Sequence, residues 1–219
     1  MIFGLIPAWN EVRNIGPAIA SLFEVGCDRV VVLDGAYLYE DGASFLNGGR
    51  MSDDGTVKEA MDAGATVIVP GEQPRFGQKR ELLLRMCGAQ AEDFVLFLDA
   101  DERAVGKLPE LTGHSCVLYR NLKPNDLPDM RETWPHGDGG DVLPHFRLLR
   151  WSPTLTHLGF GDFMEDGEVI EPYDHEALAQ NPDDFESLCR VALLDGIEIH
   201  HATKASPKRV SAKRRAYAR

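Results

Sequence analysis

Apolar positions in the first hundred residues fall into short runs separated by amphipathic stretches. "IFGLIPA" (2–8), "RVVVLD" (29–34), "ATVIV" (65–69) and "FVLFL" (94–98) are near-continuous apolar runs of strand length. Such runs, rich in β-branched and aromatic residues, predict strands buried on both faces. Between the first two, Ile15, Ile19, Leu22 and Phe23 recur at helical spacing. Asn14 stands where a helix cap belongs, Pro17 is tolerated in the first turn, and Gly26 is a natural stop. Residues 52–64 and 76–91 predict two more helices, the second with Leu83, Met86 and Cys87 turned inward. Alternating strand and helix predicts an α/β fold, a mostly parallel central sheet with helices on both faces. Ligands in such folds bind beyond the carboxyl ends of the strands. Asp34 and Asp99 both close predicted strands, so they are expected on one rim.

The second half is less regular. "CVLYR" (116–120), "HFRLLRW" (145–151) and "DGIEIHH" (195–201) predict strands, and Ser206 with Pro207 predicts a last helix start. Two Gly- and Asp-rich stretches, 35–50 and 121–141, predict no regular element. A long loop in a compact domain usually carries function. There is no internal repeat and no low-complexity linker.

Composition narrows the class. At 219 residues, 43% apolar and 26% charged, the chain reads as one large soluble domain. No apolar run approaches the ~20 residues that span a bilayer. The start, "MIFGLIPAWNE", lacks the basic region of a signal peptide, so a cytoplasmic location is expected. The 4 cysteines (Cys27, Cys87, Cys116, Cys189) are scattered without a CxxC pair and read as reduced core thiols. A net charge of −12 argues against a surface built for nucleic acid. Residues 202–219 hold seven Lys/Arg and no acid, leaving −19 on the rest. That basic tail reads as an amphipathic surface helix, a flap over a diphosphate, or a contact for an anionic acceptor.

The stretch that most needs explaining is "FVLFLDADE" (94–102). A buried strand ends in two carboxylates one residue apart. Like charges this close call for something positive beside them.

Five segments in order resemble the family 2 glycosyltransferases. They are "IPAWNEVRN" (6–14), "VVLDG" (31–35), "SDDGT" (52–56), "GQKRELLL" (77–84) and "LDADE" (98–102), the last similar to the family's D-x-D motif. The chain departs from the pattern between the second and third, where about 16 residues are inserted. "HFRLLRW" and the closing "EIHHATKASPKRVSAKRRAYA" are similar to bacterial and phage members. The resemblance implies a GT-A fold with a nucleotide-sugar-binding half (1–105), an acceptor half of the same domain (106–203) and a basic C-terminal segment (204–219). It implies a metal-dependent, inverting transfer of sugar from a nucleotide-diphosphate donor, a UDP-sugar foremost. The acceptor is open between a glycan, a lipid carrier, a protein and a modified DNA base. Two other readings are a family member that binds nucleotide-sugar or carbohydrate without turnover, and a sugar nucleotidyltransferase. The latter's Gly-rich N-terminal loop with Arg is absent.

The chemistry assigns the residues. A departing diphosphate needs neutralising, and hard oxygen ligands on Mn2+ or Mg2+ serve that need. Asp99 and Asp101 fit, and resemblance makes Asp101 the direct ligand and adds His200 over His201 as a third. Pro7, Ala8, Glu11 and Asp34 are expected to shape the base and ribose pocket. Glu11 reads equally as a solvated first-turn acid, and Asp34 as a turn cap. Of Asp53 and Asp54, one is an N-cap. Lys79 and Arg80 are expected to reach the diphosphate or else to line a solvated helix face. The general base is sought in "GFGDFMEDGE" (159–168), in the order Asp162, Glu165, Asp166. His157 is read as a core or strand histidine.

Overall fold

The computed structural model describes residues 1–36, 51–71, 74, 78–121, 142–159, 162–170 and 192–201. The stretch 37–50, most of the long 121–141 loop, Ser206, Pro207 and the basic tail lie outside the described residues. The elements are β1 (Ile2–Ala8), α1 (Ile15–Val25), β2 (Arg29–Asp34), α2 (Thr56–Asp62), β3 (Thr66–Ile68), α3 (Gln78–Met86), β4 (Phe94–Phe97), β5 (Glu102–Gly106), β6 (Ser115–Asn121), β7 (Val142–Arg150), β8 (Thr156–Gly159), β9 (Asp162–Glu165), β10 (Glu168–Ile170) and β11 (Ala192–His201).

The fold is α/β. Eight strands form one sheet in the order β3-β2-β1-β4-β7-β6-β11-β5, and β10-β9-β8 form a small second sheet. The first four strands are mutually parallel, as are β6 and β11, while β7 and β5 run antiparallel to their neighbours. Strand alternation divides the interior in two. Ile6, Val30, Val32, Leu96 and Leu98 meet α1 on one face. Phe3, Leu5, Val31, Leu33, Val95 and Phe97 meet α3 and the small sheet on the other. This explains why these strands read as unbroken apolar runs: both faces are covered. Gly4 allows α1 to sit close, since a Cβ there would lie 2.7 Å from Leu22 Cδ1.

Expected and observed elements differ in several places. The helix expected over 76–91 ends at Met86, whose side chain is exposed and not turned inward. The helix expected over 52–64 is shorter, Thr56–Asp62, because residues 52–54 are committed to another loop, as described below. Strand β5 follows the two aspartates directly and pairs antiparallel with β11. The described residues of the segment searched for a general base, 159–168, lie on the end of β8, on β9, on the turn after it and on the start of β10. Asp166 (φ 52) and Gly167 (φ 84) form the two-residue turn between β9 and β10, the conformation an Asp-Gly pair favours. Cys27 and Cys87 are free and buried, and burial, then Asp28, pushes the Cys27 thiol up to about 12. Among the described residues no helix is long and apolar enough to cross a membrane.

Candidate functional site

Strand order reverses at β1, with β2 and β3 on one side and β4 on the other. The crevice beyond the carboxyl ends at such a point is where open α/β sheets bind ligands. Ala8 pairs with Asp34 across β1 and β2, and Leu98 donates its N–H to Leu5 O (3.0 Å) across β1 and β4. Asp34 and Asp99 therefore stand on one rim, two strands or roughly 10 Å apart.

The inserted segment does not part the two halves of the sequence motif it interrupts. Ser52 returns to Asp34, donating from its N–H (2.9 Å) and its hydroxyl (2.5 Å) to the fully buried carboxylate. The 52–56 segment is also laced to the loop after β1. Asn10 N–H donates to Ser52 Oγ (2.8 Å), Asp53 N–H to Asn10 Oδ1 (3.0 Å), Glu11 N–H to Thr56 Oγ1 (2.7 Å) and Val12 N–H to Asp54 Oδ2 (3.1 Å). The N-cap of α2 is Gly55, so neither Asp53 nor Asp54 holds that position; Asp54 accepts from Thr56 N–H (3.0 Å) just beyond it. Glu11 is buried, with Oε2 accepting from Asn14 Nδ2 at 2.8 Å, and is not a solvated acid.

Neighbouring residues of α3 supply the positive charge that the aspartates demand. Lys79 is buried, and its ammonium donates to Ala8 O (2.7 Å) and Gly35 O (2.5 Å), clamping the ends of β1 and β2. Burial lowers its pKa from 10.5 to about 7, against the opposing pull of Asp34 and Asp99. Arg80 donates to Asp99 Oδ1 at 2.7 Å. Burial alone would raise the Asp99 pKa, but the Arg80 and Arg147 guanidiniums outweigh it and hold the carboxyl well below the usual range.

The turn after β4 is closed by a residue that sequence reasoning passed over. Glu102 Oε2 accepts from Asp99 N–H (2.7 Å), while Glu102 N–H donates to Asp99 O (2.9 Å). Its other oxygen meets Arg147 at 2.9 Å in a pair buried on both sides. Burial, with Asp99 and Asp101 adding to it, raises the Glu102 pKa despite Arg147. The sequence did hold a signal for Arg147: a lone cation between Phe146 and Leu148 in an apolar strand needs a buried partner.

His200 does not face the aspartates. Its Nε2 lies 2.8 Å from Glu198 Oε2. The histidine beside Asp101 is His201, with Nε2 3.7 Å from Asp101 Oδ2. Burial would lower the His201 pKa, but Asp101, Glu102 and Asp99 together raise it. The cause is strand parity: Ile197 and Ile199 are core residues, and 201 shares their face.

The three base candidates also separate. Glu165 lies 3.0 Å from His114 Nε2, His114 Nδ1 accepts from Arg150 N–H (3.2 Å), and Arg150 pairs with Phe94 at the start of β4. Five residues of strand, roughly 16 Å, separate Phe94 from Asp99. Glu165 and the exposed Asp166 beside it thus belong to the opposite rim. From Glu165, β9 runs back to Phe163, whose ring packs on Phe97 and Phe146 (centroids 5.6 Å in each case). Position 162 lies one residue further in that direction. His157 is buried against Phe97 and Phe163.

Lys79 carries a pH prediction. In the unfolded chain its amine keeps a proton up to about 10.5; folded, it loses that proton near 7. Between those values the unfolded chain binds the extra proton, so native stability rises with pH. Urea melts from pH 7 to 10 should show wild type gaining on Lys79→Met, by at most about 1.4 kcal/mol per pH unit. A constant difference would place the Lys79 pKa outside that window.

The site is therefore a rim of buried acids and paired cations at the reversal point of an α/β sheet. No protein-family model matches the chain, and no curated protein does. Among solved structures it is similar to glucosyl-3-phosphoglycerate synthase from Mycobacterium tuberculosis in complex with Mn2+, UDP-glucose and phosphoglyceric acid: 26% identity, 47% of this chain and 33% of that chain, TM-score 0.34. The same enzyme with Mg2+ and UDP matches at 25% identity over 47% and 34%, TM-score 0.34. A mycobacterial protein matches at 21% identity over 58% and 44%, TM-score 0.38. The chain thus spans between a third and under half of the length of these structures.

Proposed function

We propose that this chain is a metal-dependent, inverting glycosyltransferase of GT-A fold using a nucleotide-diphosphate sugar, with uridine as the base. The observation that carries the reading is the gathering of Asp34, Asp99 and Asp101 with Lys79, Arg80 and His201 around one crevice. Pro7, Ala8 and Glu11 wall the base pocket, and Asp34, held by Ser52, keeps lone pairs for the base or ribose. Arg80 spends one of its donors on Asp99, and a guanidinium has others for a diphosphate oxygen.

The residues fit a hard divalent cation, Mn2+ or Mg2+. Asp101 and His201 are 3.7 Å apart, near the separation of two donors on one ion with bonds of about 2.1 Å. Asp99 stands beside them. Among the described residues no group of three or more His, Cys, Asp or Glu forms a ready-made centre. Phosphate oxygens and water would have to complete the coordination. When bound, it supplies positive charge against the departing diphosphate. Asp162 takes the proton of the acceptor hydroxyl.

Isothermal titration of UDP with and without Mn2+ tests the reading. Wild type is expected to bind more tightly with the metal, and Asp101→Ala to lose that gain. Metal-independent binding, unchanged in Asp101→Ala, would take the metal role from this site; absence of metal-dependent donor hydrolysis would favour a binding protein without turnover.

A further inference from the structure

A second cleft opens at the other rim of the sheet, beside the amino-terminal end of β4, with a volume of about 350 Å³. That falls in the range of small-molecule sites, roughly 300–1,000 Å³. Its walls bring together Glu92, His114, Arg150, Trp151, Ser152 and Glu165. None of these serves the crevice around Asp99, a strand's length away.

The chemistry of the walls selects a ligand class. Two carboxylates, Glu92 and Glu165, face two basic side chains, Arg150 and His114, so no sign of charge prevails. Arg150 is paired with Glu92, and His114 with Glu165 (3.0 Å). Ser152 lies beside Glu165 and, with His114 and Arg150, holds its pKa down against burial. A free anion would meet both carboxylates; a free cation would meet Arg150. A neutral polyol meets neither objection. Each hydroxyl both donates and accepts, and vicinal hydroxyls span a carboxylate and an adjacent donor. Arg150 and Glu165 side chains are 46% and 30% exposed, open enough to be reached. The half-buried Trp151 adds apolar surface of the kind that the C–H face of a sugar ring covers.

We infer that the Glu92/His114/Arg150/Glu165 cleft binds a neutral saccharide unit, apart from the proposed donor crevice. The inference rests on this cleft alone and does not require that the chain transfer sugar.

Saturation-transfer NMR on the full chain, with methyl glycosides of glucose, galactose, mannose and N-acetylglucosamine as probes, is the test. At least one is expected to bind saturably without metal or UDP. Glu165→Gln and Arg150→Gln, both at partly exposed positions outside the hydrophobic cores, are each expected to weaken it about tenfold or more. Asp101→Ala is expected to leave it unchanged. Circular dichroism on the variants separates lost binding from lost fold. The inference is overturned if no glycoside saturates, if binding survives both substitutions in folded protein, or if UDP competes for it. The last result would move the sugar to the donor crevice and leave the transferase reading intact.

Discussion

Arg147→Met is expected to cost about 3–5 kcal/mol of folding stability, the usual penalty for stripping one partner from a buried ion pair. The Glu102 carboxylate is 2% exposed and would lose its guanidinium at 2.9 Å. Its other oxygen is fixed on Asp99 N–H, so it cannot turn toward water without opening the turn that carries Asp99 and Asp101. The double replacement Glu102→Leu, Arg147→Met separates pair from packing. If the pair's cost lies in the abandoned charge, the double variant should recover most of the loss, because a well-packed apolar pair is often neutral or better. Denaturant melts of wild type and the two variants measure this. A loss under about 1 kcal/mol in Arg147→Met would mean that Glu102 takes up a proton cheaply. Binding of UDP should follow a different order: the double variant, though stable, loses the carboxylate that closes the 99–102 turn and should bind more weakly than wild type.

How much of this was legible in the sequence varies by element, for physical reasons. β1, β2 and β4 are covered on both faces, so their apolar runs mark strands and their ends mark the rim. That is enough to place Asp34 and Asp99 together. The bridging contacts were not legible. Ser52 meets Asp34 across an insertion, and nothing local in the 35–50 stretch says that the chain comes back. His201 could have been chosen over His200 from "IEIHH", because apolar residues at 197 and 199 fix the parity of the inward face. Family resemblance pointed to the other histidine, while the strand puts His201 beside Asp101. Glu165 and Asp166 lie toward the other rim for a related cause. "DFMEDGEVI" contains an Asp-Gly pair between two strand-like triplets, a hairpin signal that the search for a base overrode. Lys79 shows the limit of helix-face reasoning. A lysine on an amphipathic helix is ordinarily solvated, and only the fold reveals two strand-end carbonyls above it.

The relocation of Glu165 turns the choice of base into a sharp comparison. Asp162→Asn is expected to lower sugar transfer by about 10²–10⁴-fold, the usual worth of a positioned general base. Glu165→Gln is expected to keep transfer within a few-fold of wild type. The argument is one of direction along β9. Its Glu165 end is tied to His114 and, through Arg150, to the first residue of β4, whereas Phe163 already packs on Phe97, two residues before Asp99. A base must come within hydrogen-bond reach of the hydroxyl it deprotonates, directly or through one water. From the far rim Glu165 cannot do so without taking the small sheet apart. With the acceptor unidentified, the rate can be read as metal-dependent release of UDP from UDP-glucose, water standing in for the acceptor. Donor binding measured on both variants separates lost turnover from lost donor, and Glu165→Gln should leave it unchanged, since Glu165 lies toward the opposite rim. Loss of turnover in Glu165→Gln with Asp162→Asn unaffected would show that β9 approaches the donor from its other end. Equal loss in both would indicate that the small sheet acts as one unit, with the His114–Glu165 contact positioning the base.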